Sequence, residues 1–164
     1  MAIDTNPFVV LSYVSGPALL TNATSLLLLS TTNRFARAID RSRHLTDLIA
    51  APPPGRDLTV ETYEVPIVGR RIRLIALSIA SFYLAAAMFA LATVTSILGA
   101  VLAEQFGGAA LDLIVVFAVF LGAVGFAAFV TGAFALVIET RLVMGALAFE
   151  SAAAIATLER NVQG

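Results

Sequence analysis

The positions of the charged residues are the strongest constraint on how this chain can fold. No charged residue occurs within residues 5–33, 74–103 or 113–138. A helix that crosses a bilayer needs roughly 20 predominantly apolar residues, so each of these stretches is long enough for one crossing. The chain is 59% hydrophobic and 13% charged, whereas ordinary globular domains contain about 25% charged residues. We therefore predict an all-α integral membrane protein with three transmembrane helices, over about residues 8–33, 74–103 and 110–138.

The first and third predicted helices extend beyond the membrane. No Pro or Gly occurs within residues 18–51, and apolar residues recur at near-helical spacing among the charged residues of 34–50. Residues 139–160 carry a similar apolar stripe. We predict that these two segments pack together as a helical cytoplasmic stalk. The whole chain, residues 1–164, is expected to form one membrane domain.

Prolines mark the connection between the first and second helices. Three of them follow Ala51, and a helix rarely continues through prolines because they lack the amide hydrogen and their rings clash with the preceding turn. Pro66 suits the first turn of a helix, where the amide hydrogen would have no helical partner. We therefore predict a linker over residues 51–66.

The distribution of arginine predicts the orientation in the membrane. All ten basic residues are Arg; eight lie between the first and second spans, and none lies in the second connection, residues 104–112. Positively charged residues near the ends of spans stay in the cytoplasm. We therefore predict an N-terminus outside and a C-terminus in the cytoplasm. The first residues, MAIDTNPF, lack the basic segment of a cleaved signal peptide.

Composition also restricts the expected partners and chemistry. Clustered arginines suit anionic lipid headgroups, where each contributes about 1 kcal/mol near the surface. Nucleic acid is not an expected partner, because acidic residues are interleaved with the arginines and no recognition motif accompanies them. The chain has no Cys and a single His, His44, and it lacks a Gly-rich phosphate loop and a GxSxG motif. We expect no catalytic residues, no metal site and no cofactor, and hence no enzyme.

The first span carries a polar face that allows two interpretations. Its hydroxyl-bearing residues fall near one side of the helix, with Asn22 at the edge. Small hydroxyl residues let membrane helices approach closely, which favours a packing interface, and the alternative is a hydrated pore face. The candidate pore or packing residues are Thr21, Asn22, Thr24, Ser25 and Thr32. The third helix has a stripe of small residues that also favours close packing: Ala118, Gly122, Gly125 and Gly132.

Charged residues are predicted to gather where the spans meet the cytoplasm. Glu139 lies at the inner end of the third span, at about the depth of several arginines. An ionisable group at a membrane border normally forms a pair or extends toward water, so we expect a pair between Glu139 and an arginine. A gate or a proton-coupled switch at Glu139 is the alternative. The candidate ion-pair or lipid-headgroup residues are Arg34, Arg37, Arg70, Arg71, Arg73 and Glu139.

Three segments of the chain resemble one family of membrane proteins. They are LLLLSTTNRFARAIDRSRHL, RRIRLIALSI and IETRLVMGAL. Together they are similar to the bacterial domain-of-unknown-function 2721 family, in which a leucine run precedes a TNRF-like turn, here Thr32 to Phe35, and a basic helix. The resemblance extends from about Pro17 to Glu159. It implies a small integral protein of the bacterial inner (cytoplasmic) membrane and brings no established activity.

These observations favour a non-enzymatic membrane protein that self-assembles or serves as an accessory or scaffold subunit of a larger membrane complex. Three short helices cannot easily enclose a transport path within one chain, and most homo-oligomers close by rotational symmetry. The alternative is a homo-oligomeric ion channel or small-solute pathway lined by the first transmembrane helix, because rings of like residues are how small subunits build filters.

Overall fold

The described part of the protein is formed by three long α-helices. The computed structural model describes residues 7–54, 58–102 and 108–163. Within those ranges the elements are α1 (Pro7–Ala50), α2 (Thr59–Leu102) and α3 (Gly108–Gln163), and no strand is present. The prediction of an all-α chain with three helices is confirmed.

Helix α1 ends where the prolines predict. The amide of Ala51 donates to the carbonyl of Asp47 at 3.0 Å, which completes the last turn. The three prolines that follow cannot continue the helix.

Helix α2 begins earlier than predicted. It starts at Thr59, and the amide of Thr62 donates to the carbonyl of Leu58 at 2.9 Å. Pro66 therefore lies inside the helix rather than in its first turn, and the predicted linker over residues 51–66 was wrong for residues 59–66. A carboxylate in the first turn, from Glu61, interacts favourably with the helix dipole. The turns before Pro66 are also held by buried side chains, which compensates for the hydrogen bond that proline removes.

Two of the three helices are apolar enough to cross a membrane. Among the described residues these are α2 and the part of α3 over Gly108–Ala146. Helix α1 is not one of the two, because hydroxyl and amide side chains interrupt its leucines over residues 21–32. The prediction of three apolar spans is thus confirmed in part, for the second and third helices, and the first span stays a prediction.

The helices pack with the spacing of a coiled coil. In α2 the buried residues follow one another at intervals of three or four, or at the sum of the two: Glu61, Glu64, Val68, Ile75, Ser78, Phe82, Ala85, Phe89 and Ala92. In α1 they recur every seven residues: Thr24, Thr31, Ala38 and Leu45. This average period of 3.5 residues is typical of helices that cross at about 20° with knobs-into-holes packing.

Contacts divide the chain into two compact units. One comprises Met1–Ser30 and Ile79–Gly132, and the other comprises Thr31–Ser78 and Ala133–Gly164. We call them the apolar unit and the arginine unit, because all ten arginines belong to the second. The charged residues of the apolar unit are all acidic: Asp4, Glu104 and Asp112.

The core of the apolar unit is built from aromatic rings packed on glycine. A Cβ added at Gly132 would lie 2.8 Å from the Phe82 ring, and one added at Gly125 would lie 2.9 Å from the Phe89 ring. Both phenylalanines are fully buried, and the Phe82 ring centroid lies 5.8 Å from that of Phe129. Only glycine allows this close approach of α3 to the two rings.

The predicted stripe of small residues on α3 is only partly right. Gly125 and Gly132 face the buried rings, as the prediction requires. A Cβ added at Gly122 would meet no atom within 4 Å, and Ala118 is only partly buried, so these two residues do not form a close contact in the same way.

Candidate functional site

A buried carboxylate in the arginine unit is shared by two arginines. Glu139 occupies a core position of α3, and its side chain is 3% exposed. Its Oε1 accepts a hydrogen bond from Nε of Arg71 at 3.0 Å, and its Oε2 accepts one from Nη1 of Arg34 at 3.2 Å. The three side chains come from three different helices. Of the candidate charged residues, the structure brings these three together.

The electrostatics of this cluster explain why two arginines are present. A buried carboxylate is strongly disfavoured unless charged hydrogen-bond donors compensate for the lost water. Here each carboxylate oxygen has a guanidinium donor, and such charge-assisted bonds are roughly twice as strong as neutral ones. The side chains of Arg34 and Arg71 remain partly exposed, at 47% and 26%. The cluster carries one net positive charge and ties α1, α2 and α3 to one another at a single level.

A second ion pair joins α1 to the start of α2. Nε and Nη2 of Arg41 donate to the two carboxylate oxygens of Glu64, the first at 2.9 Å. This is the bidentate geometry for which the planar guanidinium is suited. The Glu64 side chain is 11% exposed, and Glu61, one turn earlier, is also buried.

Sequence reasoning missed these residues because it placed Glu61 and Glu64 in an irregular linker. Glu61 and Glu64 are three residues apart, and the buried residues Val68 and Ile75 continue the same core pattern of α2. This spacing could have indicated that the helix begins before Pro66. Arg41 lies seven residues after Arg34, so the two arginines share one side of α1.

The other candidate arginines lie on the surface. Arg37, Arg70 and Arg73 are exposed, and the described part of the chain offers them no ion pair. Their neighbours in sequence point inward instead: Ala38 is buried, and Arg71 reaches Glu139. Helical position therefore separates the arginines that hold the bundle together from those that face its surroundings.

The structure divides the predicted polar face of α1 into two sides. Thr24 is fully buried and Thr21 is partly buried, whereas the remaining three residues, Asn22, Ser25 and Thr32, are exposed. The hydroxyls of Thr21, Thr24 and Ser25 each donate to the carbonyl four residues earlier, at 2.9, 2.6 and 2.9 Å. Such bonds satisfy the hydroxyls within their own helix.

The buried polar side chains of the described part are satisfied within the protein. Every buried side-chain nitrogen or oxygen there has a hydrogen-bond partner. The same residues contain no group of three His, Cys, Asp or Glu side chains that could hold a metal ion. The described side chains form ion pairs between helices and leave several arginines exposed.

Comparison with known proteins places the chain in a family. No curated protein and no solved structure matches it. A family model described as "Protein of unknown function (DUF2721)" matches residues 14–149, which is most of the chain and includes Arg34, Arg71 and Glu139. The chain therefore belongs to the DUF2721 family of proteins of unknown function.

Proposed function

We propose that this protein is a non-enzymatic integral membrane protein that crosses the bilayer three times and functions by self-assembly, as a scaffold or accessory subunit of a membrane complex. The observation that carries the proposal is an exposed stripe on α1 that contains the polar residues Asn22 and Ser25, next to surfaces suited to lipid.

The exposed side chains of the apolar unit suit hydrocarbon. On α3 the exposed fraction reaches 71% at Leu113, 65% at Val116 and 60% at Phe120. On α2 it is 53% at Leu98. Contiguous apolar surface of this extent is unfavourable in water and marks a contact with membrane or protein. A bilayer provides that contact on all sides.

The ion cluster supports a crossing by α1. Arg34, Arg71 and Glu139 lie at one level, and each is within three residues of the inner end of an uncharged stretch of its helix. The uncharged stretch of α1, residues 7–33, would be about 40 Å long at about 1.5 Å per residue, enough for a ~30 Å hydrocarbon core. With the arginines in the cytoplasm, the N-terminus is outside the bacterial inner membrane and the C-terminus is inside.

The exposed stripe on α1 supports assembly. Ala18, Asn22, Ser25 and Leu29 are all exposed and are spaced four, three and four residues apart, so they form one narrow face. An amide facing lipid is costly, because hydrocarbon offers no hydrogen-bond partner. Against the same stripe of a second copy, each Asn22 amide can both donate and accept, and the small residues Ala18 and Ser25 on either side of it allow close approach.

The alternative function is a homo-oligomeric ion channel or small-solute pathway lined by α1. The exposed positions of Asn22 and Ser25 favour it, since they would face a path between copies. A path through the apolar unit of one chain is disfavoured because Phe82 and Phe89 fill its core.

Mass measurement in mild detergent tests the proposed assembly. We expect the wild type to run as a homo-oligomer or within a complex, and Asn22→Leu to dissociate it. Thr131→Val is the matched control: it removes an exposed hydroxyl from α3, where that hydroxyl is bonded to the Ala127 carbonyl. A monomeric wild type, or an Asn22→Leu variant that assembles like the control, would exclude assembly through this stripe. Ion flux from wild-type oligomers in vesicles would favour the channel.

A further inference from the structure

The arginines whose side chains the structure describes fall into two classes. Arg34, Arg41 and Arg71 are engaged with buried carboxylates. A second class is exposed and has no ion pair within the described residues: Arg37, Arg43, Arg70, Arg73 and Arg141. The structural need for positive charge in the bundle is met by the first class, so the second is available for a partner.

Most of the exposed arginines lie at the level of the Glu139 cluster. The two hydrogen bonds to Glu139 align Arg34 of α1, Arg71 of α2 and Glu139 of α3. Arg37 is three residues from the first of these, and at ~1.5 Å per residue this is about 5 Å along the axis. The same rise places three more of the exposed arginines, Arg70, Arg73 and Arg141, within about 3 Å of that level.

Four of the five exposed arginines therefore form a belt to which every helix contributes. We call Arg37, Arg70, Arg73 and Arg141 the arginine belt. Arg43 lies outside it, because nine residues separate it from Arg34, or about 13 Å along α1. Glu139 cannot neutralise the belt, since both of its oxygens are occupied by Arg34 and Arg71. Asp40, the next exposed carboxylate on α1, is one turn beyond Arg37.

We propose that the arginine belt binds the phosphate groups of anionic phospholipids in the leaflet where the uncharged stretches end. This inference rests on the proposed membrane placement and names a partner of the protein within it. The belt adjoins the apolar stretches of α2 and α3, which begin at Leu74 and end at Ile138. A lipid whose tails lie along those stretches presents its phosphate at the level of the belt. Guanidinium binds phosphate oxygens through paired hydrogen bonds, whereas the lysine ammonium acts as a point charge, so Arg is the better phosphate ligand here.

The test compares lipid compositions in nanodiscs at low salt. Wild-type protein is placed in phosphatidylcholine alone and in phosphatidylcholine mixed with phosphatidylglycerol, and its thermal midpoint and retained phosphatidylglycerol are measured. We expect phosphatidylglycerol to raise the midpoint by several degrees and to be retained. The combined substitution of all four belt arginines by Gln should abolish both effects, whereas Arg43→Gln, which removes an exposed arginine outside the belt, should leave them intact.

Three outcomes would contradict phospholipid binding by the arginine belt. Phosphatidylglycerol stabilisation that persists in the four-site variant would overturn the proposal, as would an equal loss in Arg43→Gln. If inorganic phosphate added to phosphatidylcholine nanodiscs reproduced the stabilisation, the site would bind free anions instead of lipid. Should the four-site variant not fold, Arg70→Gln with Arg73→Gln provides the smaller perturbation, with a partial loss expected. Failure of the wild type to enter nanodiscs would instead refute the membrane placement itself.

Discussion

Replacement of glycine on α3 offers a direct test of the packing between α2 and α3. Gly122 and Gly132 are both inside one helix, so Gly→Ala changes the backbone preference by the same amount at each. A Cβ added at Gly132 would lie 2.8, 3.0 and 3.2 Å from three carbons of the Phe82 ring, while at Gly122 it would meet nothing within 4 Å. The two variants therefore differ in one respect, the overlap with Phe82.

The magnitude of that difference follows from the overlap. Carbon atoms pack best at about 3.5–4.0 Å, so Gly132→Ala requires a shift of about 1 Å. Phe82 is fully buried and packed on Phe129, so it has little room to move. Overpacking of this kind costs about 1–3 kcal/mol. The helix-propensity gain of about 1 kcal/mol is common to both variants and cancels in the comparison.

Thermal unfolding in mild detergent measures the effect. Since about 1 kcal/mol corresponds to roughly 2–4 °C for a chain of this size, Gly132→Ala should unfold at least a few degrees below Gly122→Ala. We expect Gly122→Ala to equal or exceed the wild type. Equal midpoints for the two alanine variants would refute the close contact between Gly132 and Phe82.

Further substitutions test the ion pairs and the polar face of α1. Glu139→Gln should lower the free energy of unfolding by about 1–3 kcal/mol. This is less than for a fully buried pair, because Arg34 and Arg71 can turn to water. Unchanged denaturation in detergent would show that the cluster does not stabilise the fold. Arg41→Gln leaves buried Glu64 without its bidentate partner and should cost about 1–3 kcal/mol, whereas exposed Arg43→Gln should stay within about 0.5 kcal/mol in the same assay. Thr21→Val and Ser25→Ala remove hydroxyls that donate to carbonyls of their own helix, so oligomer size should be retained. A loss of vesicle ion flux with retained size would favour the channel over the scaffold.

The uncharged stretches and the prolines were sufficient to predict most of the fold. The uncharged stretches give three helices, and the prolines after Ala51 end α1 as expected. The start of α2 was missed because local rules place Pro66 at a helix start, while the Arg41–Glu64 pair and a buried Glu61 extend the helix back to Thr59. The Arg41–Glu64 contact between two helices therefore outweighed the preference of proline for the first turn of a helix.

The candidate site could be predicted as a set of residues but not as a geometry. Depth in the membrane placed Glu139 among several arginines, and charge alone gave no means of choosing between them. The choice of Arg34 and Arg71 depends on which side of each helix faces the core, and that follows from the seven-residue repeat of buried residues. The same repeat turns Thr24 inward and leaves Asn22 and Ser25 exposed.

Single-cysteine labelling tests the central claim, that all three helices cross the membrane. The chain contains no Cys, so Asp4→Cys, Gly107→Cys and Gln163→Cys each introduce one thiol that an impermeant reagent can report. We predict that the first two react from outside intact cells and that Gln163→Cys reacts only after the membrane is opened. If α1 did not cross, Asp4 and Gln163 would lie on the same side, and their cysteines would react alike. That result would contradict the three-span account while leaving α2 and α3 as a membrane hairpin.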